Sequence, residues 1–217
     1  SVAPIFSDAL HEIKLFSENH PNHMPIILLI EVKDDWMILD HALQKIESAQ
    51  LEKLNGLIKD TLGDQLFQPK DMMESGKTLK ETIQTTGWPT LQNMLGKVMV
   101  VLHPSHFVGP YVALDPTLDT LSMFPGVYAS QIDRDYASFI VHNEVNKDAI
   151  QELVDQQFIV RTRIDSQLIF SATDYDQAIL SGAQILTSDF TIGRKDIKQD
   201  DIIYLPNGKM LTLRSTS

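Results

Sequence analysis

At 217 residues, 43% of them hydrophobic, the chain has the length and apolar content for one large α/β domain. Its formal net charge of −11 excludes nonspecific nucleic-acid binding, which demands a basic surface, so any phosphate site must be a local basic cluster within an acidic protein. The absence of cysteine excludes a disulfide framework, a thiolate zinc site and a thiol nucleophile, and no apolar run is long enough to span a bilayer.

The opening Ser1-Val-Ala-Pro, without an initiator Met, reads as a processed or trimmed start. Asp8 to Asn19 places Ala9, Ile13 and Phe16 among polar residues, which predicts an amphipathic helix closed by Asn19-His-Pro-Asn. Residues 24–35, Met-Pro-Ile-Ile-Leu-Leu-Ile-Glu-Val-Lys-Asp-Asp, predict a buried parallel strand entered through Pro25. Alternation puts Leu29, Glu31 and Lys33 on one face and Ile30 and Val32 on the other. Charge thus falls on one face at the carboxyl end, where α/β folds bind ligands. An ordinary solvated ion pair between Glu31 and Lys33 is the competing reading.

From Trp36 to about Leu95 the pattern is helical, interrupted at Gly63 and Pro69 and closed by a turn at Gly87-Trp-Pro-Thr. Trp36 and Trp88 are expected to pack core or subdomain contacts. Lys97 to Leu102 is the second predicted strand, with Lys97 pointing to the amino-terminal face as a structural residue. His103 to Arg134 is the longest irregular segment; its Phe107, Val108, Tyr111, Met123 and Phe124 read either as a hydrophobic rim that dips into lipid or as a lid packed on the sheet.

Asp135 to Val141 is the third predicted strand, followed by a helix over about Lys147 to Gln156. The fourth, Phe158 to Ile164, repeats the arrangement of the first: Arg161 and Arg163 alternate with Val160 and Thr162. A carboxylate suited to a hard cation and guanidinium forks suited to phosphate oxygens make a chemically coherent pair of strand ends. A helix from Thr173 to Ser181 leads to the fifth strand, Gly182 to Asp189, and Ile202 to Leu205 with Met210 to Leu213 predict a hairpin around Asn207-Gly208. Asp189, after Ser188, is a candidate substrate contact or a turn cap.

Other motifs are weaker. His103-Pro-Ser-His106, at a strand end, is a pair that could chelate, but no acidic residue adjoins it in sequence. His11-Glu12 lacks the second histidine of a zincin, since position 15 is Leu, and there is no phosphate-binding glycine loop or nucleophile elbow. His142-Asn143-Glu144 superficially suggests a histidine beside a metal ligand, although it follows the third strand; Asn143 is a candidate hydrogen-bonding residue. Strands alternating with helices imply a parallel sheet, and inward charges at strand ends suit an α/β, TIM-barrel-like fold. Five strands are too few for a closed barrel of eight, so the sheet is expected to be open or short of strands.

An ordered set of segments carries a family resemblance: His20-Pro-Asn-His-Met-Pro-Ile-Ile-Leu-Leu-Ile-Glu-Val-Lys-Asp34, Leu66-Phe-Gln-Pro-Lys-Asp71, Thr78-Leu-Lys-Glu81, Gly87-Trp-Pro-Thr-Leu91, Gly96-Lys97, Phe158-Ile-Val-Arg-Thr-Arg163 and Gly182-Ala-Gln-Ile-Leu-Thr-Ser-Asp189. The chain resembles the bacterial calcium-dependent phosphoinositide-specific phospholipase C family, phosphodiesterases built on a distorted TIM barrel. The resemblance implies a single barrel domain over residues 1–217, the later three quarters of the barrel, with a helical insertion at about 36–95. It implies a phosphoric diester hydrolase that cleaves a glycerophosphoinositide by attack of the inositol 2-hydroxyl on phosphorus, assisted by calcium and two histidines. Glu31 matches a metal-binding carboxylate. Lys33, Arg161 and Arg163 would hold phosphate or inositol hydroxyls, with Asn143 and Asp189 alongside.

The catalytic histidines of that family come from strands that precede the segment beginning at Ser1, so the first strands are expected to be missing and an amino-terminal portion of the same barrel is an expected partner. A secreted or periplasmic bacterial enzyme of lipid metabolism, in transient contact with a membrane surface, is what the resemblance implies. A glycerophosphodiester phosphodiesterase and a noncatalytic phosphate-binding module are the alternatives.

Overall fold

A computed structural model describes residues 5–34, 45–166, 169–190, 203–206 and 208–212. The chain folds as two compact units, Ser1–Ile140 and Val141–Ser217. The first contains α1 (Phe6–Asn19), β1 (Ile26–Ile30), α2 (Ser48–Leu62), β2 (Leu66–Phe67), α3 (Leu79–Thr85), α4 (Leu91–Met94), β3 (Val98–Leu102), α5 (Val108–Val112) and β4 (Met123–Tyr128). Then comes β5 (Phe139–His142), which straddles the boundary. The second contains α6 (Lys147–Asp155), β6 (Ile159–Arg163), β7 (Asp165–Ser166), β8 (Ile169–Phe170), α7 (Ala172–Ser181) and β9 (Ile185–Thr187).

The first unit is organised around β3, whose Val-Met-Val-Val-Leu is buried at every position, as an apolar run covered on both faces requires. β1 pairs with it in parallel along its full length, from Ile26 opposite Val98 to Ile30 opposite Leu102. The other edge of β3 is shared: β2 lies beside Val98 and Met99, and β4 beside Val100 to Leu102. The segment from Trp36 to Leu95 is therefore not helical throughout, because Leu66 and Phe67 enter the sheet; Trp36 itself lies outside the described residues. Trp88 packs against Phe124 with ring centroids 5.7 Å apart, and Phe67 stacks on Phe124 at the same distance. Lys97 caps the other end of the strand, its Nζ donating to Asp64 O at 2.7 Å.

The segment from His103 to Arg134 corrects both the strand count and the idea of a lipid-facing rim. It contains α5 and β4, and Phe107, Val108, Tyr111, Met123 and Phe124 are all no more than 5% exposed. Pro125-Gly126 hides β4 in the sequence, since proline and glycine both argue against a strand. Gly126 is required there because a Cβ would fall 2.6 Å from Leu102 O. Two polar knots hold the strand's approach. Asn55 Oδ1 accepts from Tyr111 OH at 2.6 Å, Ser122 N at 2.7 Å and Ser122 Oγ at 2.8 Å, while Met123 N donates to the Tyr111 oxygen at 2.9 Å. Burial pushes the Tyr111 hydroxyl up to about 12. Nearby, the side chains and backbone N–H groups of Thr117 and Thr120 donate to Asp115, holding its carboxyl down at about 2.

In the second unit β6 pairs with β9 in parallel, Arg161 opposite Ile185 and Arg163 opposite Thr187. The two-residue strands β7 and β8 form an antiparallel hairpin that the sequence did not announce. The third predicted strand begins later than expected, at Phe139, because Ala137 N turns back to donate to Arg134 O at 2.9 Å. Of the predicted closing hairpin, the described residues show a tight turn: Gly208 N donates to Leu205 O, Leu205 N donates to Lys209 O, and Gly208 has φ +70°. Asn207 lies outside the described residues.

Candidate functional site

At the carboxyl end of β1 the ladder continues one step beyond the strands, with His103 N donating to Ile30 O at 2.8 Å. Glu31 to Asp34 and His103 to His106 therefore emerge side by side. β1 ends at Ile30, so Glu31 and Lys33 stand just past the strand rather than within it. Their alternation persists. Lys33 Nζ lies 3.1 Å from Glu31 Oε2, with side chains 53% and 50% exposed. At that exposure the pair contributes little stability, about 0–1 kcal/mol, so nothing structural requires these two charges to be there.

The same emergence gives His106 an acidic neighbour that sequence spacing concealed: its Nε2 lies 3.8 Å from Asp34 Oδ1, and its ring sits 3.9 Å from that of Phe107. His103 Nδ1 lies 3.0 Å from Pro104 O, its ring edge-on to Tyr128 at 6.2 Å. Among the described residues no group of three or more histidine or acidic side chains is close enough to hold a metal ion. Calcium takes six to eight oxygens. Glu31 offers one half-exposed carboxylate, which in this structure is paired with the Lys33 ammonium that a cation would have to displace.

In the second unit, β6 alternates as expected: Val160 and Thr162 are buried and Arg161 and Arg163 partly exposed on the opposite face. Each arginine is held. Arg161 Nη1 donates to Asn143 Oδ1 at 2.7 Å, which brings together two residues 18 positions apart. Arg163 Nη2 donates to Asp189 Oδ2 at 2.6 Å, joining β6 to the residue just beyond β9. Asp189 is thus paired with a charge on the neighbouring strand. The His142-Asn143-Glu144 string that supplies Asn143 is tied locally, with His142 Nδ1 2.6 Å from Glu144 O.

One residue of this cluster escapes sequence reasoning. Asp165, 5% exposed, accepts from Asp189 N at 2.9 Å and lies 3.8 Å from Arg163 Nε. Its signal is the odd-numbered series Arg161, Arg163, Asp165 along one strand, which reads as the end of the strand rather than as part of the charged face. Guanidinium groups fixed in this way suit phosphate oxygens and vicinal hydroxyls, and they stand ready without reorganising as charge develops on a ligand.

Comparison with known proteins identifies the family and the fold. A family model described as phosphoinositide phospholipase C, Ca2+-dependent, matches residues 1–214. A Ca2+-dependent phosphatidylinositol-specific phospholipase C from Streptomyces antibioticus superposes with a TM-score of 0.65 at 20% identity, covering 85% of this chain and 70% of its own. A calcium-dependent phosphoinositol-specific phospholipase C from Pseudomonas sp., in an apo form and myoinositol complex, gives a TM-score of 0.66 at 20% identity, covering 84% of this chain and 64% of its own. A second crystal form of the Pseudomonas enzyme gives 0.64 at 19% identity, over 83% of this chain and 64% of its own. No curated protein sequence matches significantly. The structural likenesses show a partial TIM-barrel-like α/β fold. With its family model matched from residue 1 to residue 214, the chain belongs to the calcium-dependent phosphoinositide phospholipase C family of phosphoric diester hydrolases.

Proposed function

We propose that this chain acts in the cleavage of a glycerophosphoinositide, with Lys33, Arg161, Arg163, Asn143 and Asp189 contacting the substrate and Glu31 ligating calcium. The inositol 2-hydroxyl attacks phosphorus to form a cyclic diester as the phosphorus–glycerol oxygen bond breaks, the attacking oxygen losing and the leaving oxygen gaining a proton through the histidine pair that the family resemblance implies. The observation that carries the reading is the pair of partly exposed guanidiniums on one face of β6, each oriented by an acceptor from another segment. Alternate residues on a strand stand roughly 6.6 Å apart, a span suited to a phosphodiester oxygen at one end and a ring hydroxyl at the other. The arginines would hold the diester in line and bear charge that develops on its oxygens. Calcium, when bound, supplies the positive charge that eases ionisation of the attacking hydroxyl.

A lipid substrate brings the protein transiently to a membrane surface. The exposed apolar pair Ile169 and Phe170 of β8, 68% and 46% exposed, supports that contact in place of the buried residues between His103 and Arg134. A secreted or periplasmic location follows from the same reading.

The test is a comparison of glycerophosphoinositol with glycerophosphoethanolamine as substrates. Cleavage of the inositol diester, with Arg161→Gln and Arg163→Gln each lowering kcat/KM about 10–100-fold, is expected. Equal cleavage of both diesters, releasing glycerol phosphate, would instead make this a glycerophosphodiester phosphodiesterase. Phosphate binding without turnover would make it a binding module.

A further inference from the structure

We infer that Asp165 is the positioning residue of the second unit's charged face, setting the orientation of both Arg163 and Asp189; the inference rests on the reading of those two residues as substrate contacts. A carboxylate with its side chain fully out of solvent is costly unless its charge is met. Among the described residues, the charge of Asp165 is met by Arg163 alone, through Nε at 3.8 Å, and its Oδ2 accepts from the Asp189 backbone at 2.9 Å. Among the described residues Oδ1 has no hydrogen-bond partner. Both contacts thus run to members of one cluster, and both are made from behind it, since Arg163 and Asp189 are 36% and 43% exposed while Asp165 is not.

The consequence is geometric. With Nε facing Asp165 at 3.8 Å and Nη2 donating to Asp189, the guanidinium meets two carboxylates along one edge, and among the described residues Nη1 is left for a ligand oxygen. The backbone of Asp189 is fixed by the carboxylate that faces Arg163, so its side chain and the guanidinium are registered to a common anchor. That anchor is β7, which leaves β6 after a single residue and is itself held by pairing Asp165 with Phe170. Ile164 N, donating to Thr187 O at 3.0 Å, locks the same turn to β9. Such support from behind typically changes activity 10–100-fold when removed.

Asp165→Asn separates the two contacts. Its amide oxygen can still accept from Asp189 N, but its amide nitrogen cannot accept from Arg163 Nε. The experiment measures steady-state kinetics on a soluble phosphoinositide and the Nε–H resonance of Arg163, identified by its loss in Arg163→Lys, in the wild type, Asp165→Asn and Asp165→Ala. Asp165→Asn is expected to raise KM about 10-fold, with kcat changed much less, and to shift or broaden the Arg163 Nε–H signal while the folded spectrum is retained. Asp165→Ala should do the same and also perturb the Asp189 amide. An unmoved Arg163 signal in a folded Asp165→Asn protein overturns the inference, whether or not activity falls. Wild-type kinetics in Arg163→Lys would instead overturn the substrate-contact reading; affinity lost in Arg163→Lys but kept in Asp165→Asn sinks the inference alone.

Discussion

Arg163 and Asp189, 26 residues apart, meet at 2.6 Å because β6 and β9 are parallel neighbours with Arg163 opposite Thr187. The residue two past Thr187 on the same face is Asp189, so sheet register alone delivers the partner. A double-mutant cycle of Arg163→Ala and Asp189→Ala, read by chemical denaturation, is expected to give a coupling of no more than about 1 kcal/mol, since both side chains are over a third exposed and solvent screens them. The loss of substrate affinity in either single variant should far exceed that figure, which distinguishes a binding pair from a stabilising one.

Asp115 makes the protein's stability respond to acid. Its carboxyl is depressed to about 2 by hydrogen bonds from Thr117 and Thr120 and titrates near 4 when unfolded. A depressed folded-state value contributes stability that is present above the unfolded value and is lost as pH falls through the folded one. The melting-temperature difference between wild type and Asp115→Asn should therefore be largest above about pH 5 and shrink toward zero by about pH 2. A pH-independent difference would contradict the assignment.

Asn55 is expected to be a stability residue without a role in substrate binding. Asn55→Ala strips the acceptor from Tyr111 OH and from both Ser122 donors, leaving polar groups without their partner at the approach to β4. The cost should be about 2–3 kcal/mol by urea denaturation. Affinity for substrate in the folded fraction should be unchanged.

Gly126→Ala tests the hidden strand. The added methyl would meet Leu102 O at 2.6 Å and Pro104 Cδ at 3.1 Å, so β4 must move away from β3. A loss of roughly 1–3 kcal/mol is expected, with hydrogen-exchange protection falling first at Val100 to Leu102.

Legibility in the sequence followed the range of the interaction that decides each feature. β3 and β6 were readable because burial imprints its own period: five apolar residues in one, strict alternation of Arg161, Thr162 and Arg163 in the other. β4 was not, because Pro125 and Gly126 obey a constraint set by the Leu102 carbonyl, a strand away. The polar and charged residues Glu31, Lys33, Arg161, Arg163, Asn143 and Asp189 are visible as types at strand ends. Their pairings were not, since Asn143 with Arg161 and Asp34 with His106 arise only from which strands lie side by side. Asp165 escapes for a related reason: it lies in β7, paired with Phe170 of β8, and two-residue strands are too short to leave a periodic trace.

The most direct test of the account is phosphorus NMR of phosphatidylinositol incubated with the protein, with calcium present or chelated. The expected result is a cyclic inositol phosphate that accumulates only with calcium and forms about 10–100-fold more slowly in Arg163→Gln. Turnover that persists under chelation, or release of a non-cyclic glycerol phosphate, would contradict it.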